Sequence, residues 1–181
     1  SEMDVLADTE TWVTHQPRSN MNNAVGMTQV EAMLDRGVNM ALGNDGFSNN
    51  MFAEMKTTYL VHKLTQGDPR AMPADLVFRL AYDNNAALTR IFWPDQRLGA
   101  LTPGATADIV LIDYHPTTPM TAGNLPWHLL FGYEASAITT TISAGRVLMH
   151  DRQLLTLDEK RITARARELA ADVWARTEEA Y

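Results

Sequence analysis

The first 46 residues run twice from a short apolar strand into a polar loop, with one helix between the two passes. Thr11 to His15 reads as a strand, because Thr, Trp, Val and Thr favour extended backbone and Pro17 stops it. The stretch Gln16 to Asn23 has loop composition, dense in side-chain hydrogen-bonding groups. Thr28 then opens a helix as N-cap, with Glu31 at the capping-box position and Val30, Met33 and Leu34 on one face. Gly37 ends it, Val38 to Leu42 forms a second strand, and that strand closes in Gly43-Asn44-Asp45-Gly46. This is the βαβ order of a parallel sheet with crossover helices. Parallel strands need cover on both faces, so two of them demand further strands or a partner surface.

The chain enters this pattern within about ten residues of Ser1, as a fold entered part-way would. Beyond the second strand, Asn49 or Asn50 caps an expected helix from Met51 to Gln66. Another runs from Pro73 to Phe92, with Pro73 in its first turn, where a missing N–H costs nothing. Trp93-Pro94-Asp95 ends it, and the texture changes near residues 94–98. Gly99, Pro103, Gly104 and Asp113 then punctuate short strands at Ile109–Ile112, Ala137–Ile142 and Arg146–Met149. An amphipathic helix from Asp158 to Arg176 follows. The expected fold class is therefore α/β for residues 1–95, then small-sheet material with a terminal helix for residues 96–181.

Composition removes several function classes. The formal net charge of −7 argues against a nucleic-acid surface, which needs clustered Lys and Arg. With no cysteine there is no disulfide, thiol nucleophile or Cys-based zinc site. No apolar run approaches the ~20 residues of a bilayer span, and the acidic start lacks the order of a signal peptide. A cytoplasmic location is the expectation.

In a parallel α/β fold the C-terminal strand ends carry the site. One end presents His15, followed by Arg18, Ser19, Asn20, Asn22 and Asn23; the other presents Asp45, followed by Ser48, Asn49 and Asn50. A carboxylate held there can bind a metal or accept a proton from metal-bound water. Asn-Asp-Gly is also an ordinary turn, and His at a strand end is often only a hydrogen-bonding group, so spacing leaves both readings open. His62, His128 and His150 stand alone, His62 within a helix and His128 in a turn, and read as structural. The stripe Met51, Met55, Tyr59, Leu60 reads as core packing.

The segments from His15 to Gly26 and from Gly37 to Gly46 resemble the last two barrel units of the amidohydrolase superfamily, where a His, Pro, Ser-Asn loop precedes Leu-Gly-Thr-Asp-Gly. Asn44 stands where Thr is usual. Arg97 to Asp113 resembles the strand pair that returns to the small β-sandwich beside that barrel, and Ser143-Ala-Gly-Arg-Val147 its closing strand. The nearest branch is the aminohydrolase/chlorohydrolase group of cytosine-deaminase-like, triazine-hydrolase and S-adenosylhomocysteine-deaminase enzymes. The loop Arg18 to Asn23 and Asn124-Leu-Pro-Trp-His128 are most similar to SsnA-type aminohydrolases.

The resemblance implies the last two βα units of a TIM-like (β/α)8 barrel, part of a β-sandwich and a C-terminal helix. It implies that Asp45 is a metal ligand and a proton acceptor, and that His15, Arg18, Ser19 and Asn20 lie near the substrate pocket. It implies Zn2+ or Fe2+ in the complete enzyme and a small nitrogen heterocycle as substrate, deaminated or dechlorinated. The family's His-x-His pair is not found in this sequence. The chain alone is thus expected to bind no metal tightly, to be inactive, and to self-associate over its open faces. The competing expectation is a non-catalytic remnant or assembly module.

Overall fold

The computed structural model describes residues 1–178. Helix α1 (Glu2–Asp8) opens the chain through a capping box in which Ser1 and Asp4 bond reciprocally. Strand β1 (Trp12–His15) follows, and Pro17 starts a short helix α2 (Pro17–Asn22) where a polar loop is expected from composition. Proline at the first helical position is preorganised for that turn, and it places Arg18, Ser19 and Asn20 on a helix rather than a loop.

Helix α3 (Val30–Asp35) begins one residue later than the sequence suggests, with Gln29 at its N-cap. Thr28 does not cap it. The Thr28 hydroxyl accepts from Asn20 Nδ2, and Glu31 turns away to accept from the Met72 amide and from Gln66 Nε2. Tertiary partners outcompete the local box here. Strand β2 (Asn39–Leu42) then pairs parallel with β1, Trp12 opposite Asn39 and His15 opposite Leu42.

Helix α4 (Met51–Gln66) runs between a cap at Asn50, which accepts from the Ala53 amide, and Gly67 in left-handed conformation. The expected long helix up to Phe92 is interrupted. It consists of α5 (Ala74–Arg79), a π-helical turn at Leu80–Asn84 and α6 (Asn85–Phe92). The wide turn brings two consecutive amides to the free edge of β2. Asn84 Nδ2 donates to Met40 O, while Asn85 accepts from the Leu42 amide and donates to Leu42 O. A side chain thereby replaces a neighbouring strand at Leu42.

Strands β3 (Ile109–Ile112), β4 (Ile138–Ser143), β5 (Arg146–His150) and β6 (Gln153–Leu154) form one antiparallel sheet in that order. The β4–β5 turn puts both Ala144 and Gly145 at positive φ, the mirror-image turn that suits strand twist. Helix α7 (Leu125–Phe131), which includes His128, occupies a region read from sequence as a turn. It docks on α4 and α5. Gly132, at its C-terminal end, leaves room for Tyr114, because a Cβ there would lie 2.4 Å from the Tyr114 hydroxyl. Helix α8 (Glu159–Glu178) closes the described chain.

The core gathers β2, α4, α5 and the π turn, with Met40, Met55, Met72, Val77 and Leu80 buried together. Leu129, Leu130 and Tyr133 join it, so α7 packs with the α/β part although the textural break lies near residue 95. No described helix is long and apolar enough to cross a membrane.

Candidate functional site

Strands β1 and β2 end side by side. The Gly43 amide donates to His15 O, extending the ladder one residue past β2. The backbone then turns sharply at Asp45, whose φ of 51° is tolerated by a short side chain able to bond locally. Asn44 braces the turn, donating to Phe47 O at 2.9 Å and to Asn49 Oδ1 at 2.7 Å. The result is an exposed carboxylate at the strand end.

Helix α2 reaches this carboxylate from the neighbouring strand. Ser19, itself buried, donates from Oγ to Asp45 Oδ2 at 2.7 Å. Asn23 Nδ2 donates in turn to Ser19 Oγ at 3.4 Å. The relay holds one carboxylate oxygen, and Asp45 Oδ1 has no hydrogen-bond partner among the described residues. Ser19, Asn22, Asn23, Asp45, Gly46 and Phe47 line an open cavity of about 340 Å3.

The other sequence candidates divide. Ser19 touches Asp45. Asn20 is engaged with Thr28, 3.2 Å away. Arg18 donates from Nε to Glu54 Oε1 at 2.6 Å, and from Nη1 and Nη2 to the hydroxyl and carbonyl of Ser48 at 3.2 and 2.6 Å. It also lies over the Phe47 ring, 5.2 Å from its centroid. Glu54 is fully buried and gave no sequence signal beyond its place in the first turn of α4.

His15 points into the interior. It is fully buried and its Nε2 meets Nε2 of His62 at 3.1 Å, so one ring donates to the other. Burial, reinforced by the neighbouring His62, pushes the His15 imidazole down to about 4. Burial also lowers His62, against the pull of Glu31 upward. Both rings are therefore neutral at pH 7. His15 Nδ1 is buried without a partner among the described residues.

Among the described residues no three His, Cys, Asp or Glu side chains are grouped to hold a metal ion. Catalytic zinc sites take about three protein ligands, and Asp45 is one donor. The site thus offers a proton acceptor with a positioned hydroxyl, and a fraction of a metal's donor set.

Comparison with known proteins places the whole. The amidohydrolase family model matches residues 1–148. The chain belongs to the amidohydrolase family. It is 38% identical over 176 residues to the 5'-deoxyadenosine deaminase of Methanothermobacter thermautotrophicus, covering 95% of this chain and 40% of that protein. It is 34% identical over 176 residues to the 5-methylthioadenosine/S-adenosylhomocysteine deaminase of Syntrophobacter fumaroxidans, covering 95% and 40%. Its fold superposes with a TM-score of 0.80 on a zinc-bound adenosine deaminase from Xanthomonas campestris, 25% identical, covering 96% and 40%. The zinc-complexed atrazine chlorohydrolase of Arthrobacter aurescens shares the fold, with a TM-score of 0.73 at 21% identity, covering 93% and 38%. The chain spans about 40% of the length of the curated relatives it matches.

Proposed function

We propose that this chain is the Asp-bearing part of a metal-dependent deaminase, and that the complete protein hydrolyses the exocyclic C–N bond of an adenine nucleoside altered at its 5' position. The supporting observation is the Asp45 carboxylate at the end of β2, held through one oxygen by Ser19 and, among the described residues, without a partner at the other. The relatives' names supply the substrate class. Dechlorination of a triazine ring is the less favoured chemistry, because that likeness extends only to the fold.

In this reading residues 1–95 are the last two βα units of a (β/α)8 barrel, and residues 96–181 are β-sandwich strands with the C-terminal helix. The parallel β1–β2 pair and the antiparallel β3–β6 sheet support that division. Zinc is the metal expected in the complete protein, where it would acidify a bound water. This chain supplies one donor, so no step is assigned to a metal held by it alone. Its own contribution is local. Asp45 Oδ1 accepts a proton near the reacting ring, while Ser19 keeps the carboxylate from rotating. His15 and Arg18 act behind the site, through His62 and through Glu54 and Ser48, and Asn20 steadies the start of the crossover.

Two measurements test this. Coding sequence upstream of Ser1 should continue into a His-x-His segment. In the complete protein, Asp45→Ala should abolish release of ammonia from 5'-deoxyadenosine while the thermal transition stays in place. Retained turnover would remove Asp45 from the mechanism.

A further inference from the structure

We propose that Arg18 is a positioning residue for Asp45, acting as a clamp that ties the Asp45 loop to helix α4 through the buried Glu54. The proposal rests on the reading that Asp45 does chemistry.

Among the described residues, two side chains from outside the loop hydrogen-bond to residues 44–49, and both come from α2. Ser19 takes the Asp45 carboxylate, and Arg18 takes both the hydroxyl and the carbonyl of Ser48. The loop has little else. Its internal bonds join Asn44 to Phe47 and Asn49, and residues 45–49 are exposed. Arg18 also covers the Phe47 ring. Its grip thus falls two and three residues past Asp45, on the far limb of the turn.

The clamp is itself anchored. Glu54 is 0% exposed, and Arg18 Nε reaches its Oε1 at 2.6 Å while its Oε2 has no partner among the described residues. A buried ion pair of this kind is a poor source of net stability, because desolvation offsets the attraction. What it supplies is geometry. A guanidinium is a planar fork, so one side chain addresses Glu54 with one edge and Ser48 with the other two nitrogens. Lysine could answer the charge but not span both partners. The pair therefore sets where the loop sits relative to α4, and through the loop sets the carboxylate.

Three variants separate positioning from charge compensation: Arg18→Met, Arg18→Lys and the double Arg18→Met/Glu54→Gln. Exchange of the Phe47 amide, which donates to Asn44 O within the loop, and the 1H–15N peak positions of Asp45, Gly46 and Ser48 are measured in this chain, beside its melting midpoint. Arg18→Met alone should lower the midpoint, since it strands a buried carboxylate. The double variant and Arg18→Lys should restore the midpoint to within a few degrees yet leave loop exchange raised by roughly tenfold or more. Peaks of Asp45 and Gly46 should move while those of β2 do not. In the complete protein the double variant should lower kcat by about tenfold with KM nearly unchanged. Loop exchange that stays at the wild-type rate in the double variant, or rises only in step with α4 and β2, would make Arg18 a structural counter-ion and overturn the proposal. An unchanged kcat would do the same. Failure of the deaminase reading is seen separately, as turnover that survives Asp45→Ala, and it leaves the exchange rates as they are.

Discussion

Strands β2 and β3 are each four residues long, Asn-Met-Ala-Leu and Ile-Val-Leu-Ile. The second is the more apolar, yet it is the first that is buried. Met40 and Ala41 are fully enclosed, whereas Val110 and Leu111 are 49% and 51% exposed. The contrast extends to the surroundings. In the parallel pair, β2 is packed by α3, the π turn and α6, and its residues lie in the core. The β3–β6 sheet carries one buried residue, Thr140, and α8 carries none. Burial is thus decided by what packs on a strand rather than by the strand's own residues. The site sits where cover exists, because a carboxylate at a strand end needs a firm base beneath it.

That contrast can be broken most directly by truncating side chains in both regions. Leu80→Ala should cost about 2–5 kcal/mol, because its neighbours cannot collapse into the space. Leu111→Ala should cost under about 0.5 kcal/mol, the usual range of an exposed change. Urea unfolding at pH 7 measures both, and equal losses would mean the antiparallel sheet is better covered than its exposure indicates.

A smaller effect is expected at the edge of β2. Asn85→Ala removes both bonds to Leu42 and leaves its amide and carbonyl without their partner. The expected cost is about 1–3 kcal/mol, with faster exchange of the Leu42 amide. A loss near zero would show that water serves the edge as well as asparagine does.

The smallest effect is in pH dependence. His15 has a folded pKa of about 4, below its value of 6.5 in an unfolded chain. Between those values the unfolded state binds more protons, so stability falls as pH drops through that window and levels off below it. Lowering pH from 7 to 5 should therefore cost the wild type about 1–2 kcal/mol more than His15→Phe/His62→Leu. Equal pH slopes would mean the pair is more hydrated than its burial implies.

Much of the fold is legible from local chemistry. Helix α4 runs from Met51 to Gln66 as its asparagine cap and terminal glycine indicate, and β3 occupies the residues its apolar run marks. What fails to show is what depends on distant partners. Glu31 has capping-box spacing but serves Met72 and Gln66 instead. Helix α7 is short, with Pro126 in its first turn, and is held by contacts to α4 and α5 rather than by propensity. The π turn at Leu80–Asn84 reads as ordinary helix until β2 is beside it.

The same division runs through the site. Strand, glycines and turn are contiguous, so the sequence alone determined that Asp45 stands at a strand end, and the family motifs on either side are likewise local strings. The tertiary structure alone decided that His15 turns inward to His62, 47 residues away, and that Arg18 spans 36 residues to Glu54. Neither pairing leaves a periodic trace, because a side-chain contact across the core fixes two positions whose separation along the chain is arbitrary. Asp45 was readable because the strand, glycines and turn that present it are contiguous; its support was not, because Ser19 reaches its carboxylate from 26 residues away and Arg18 is anchored 36 residues on.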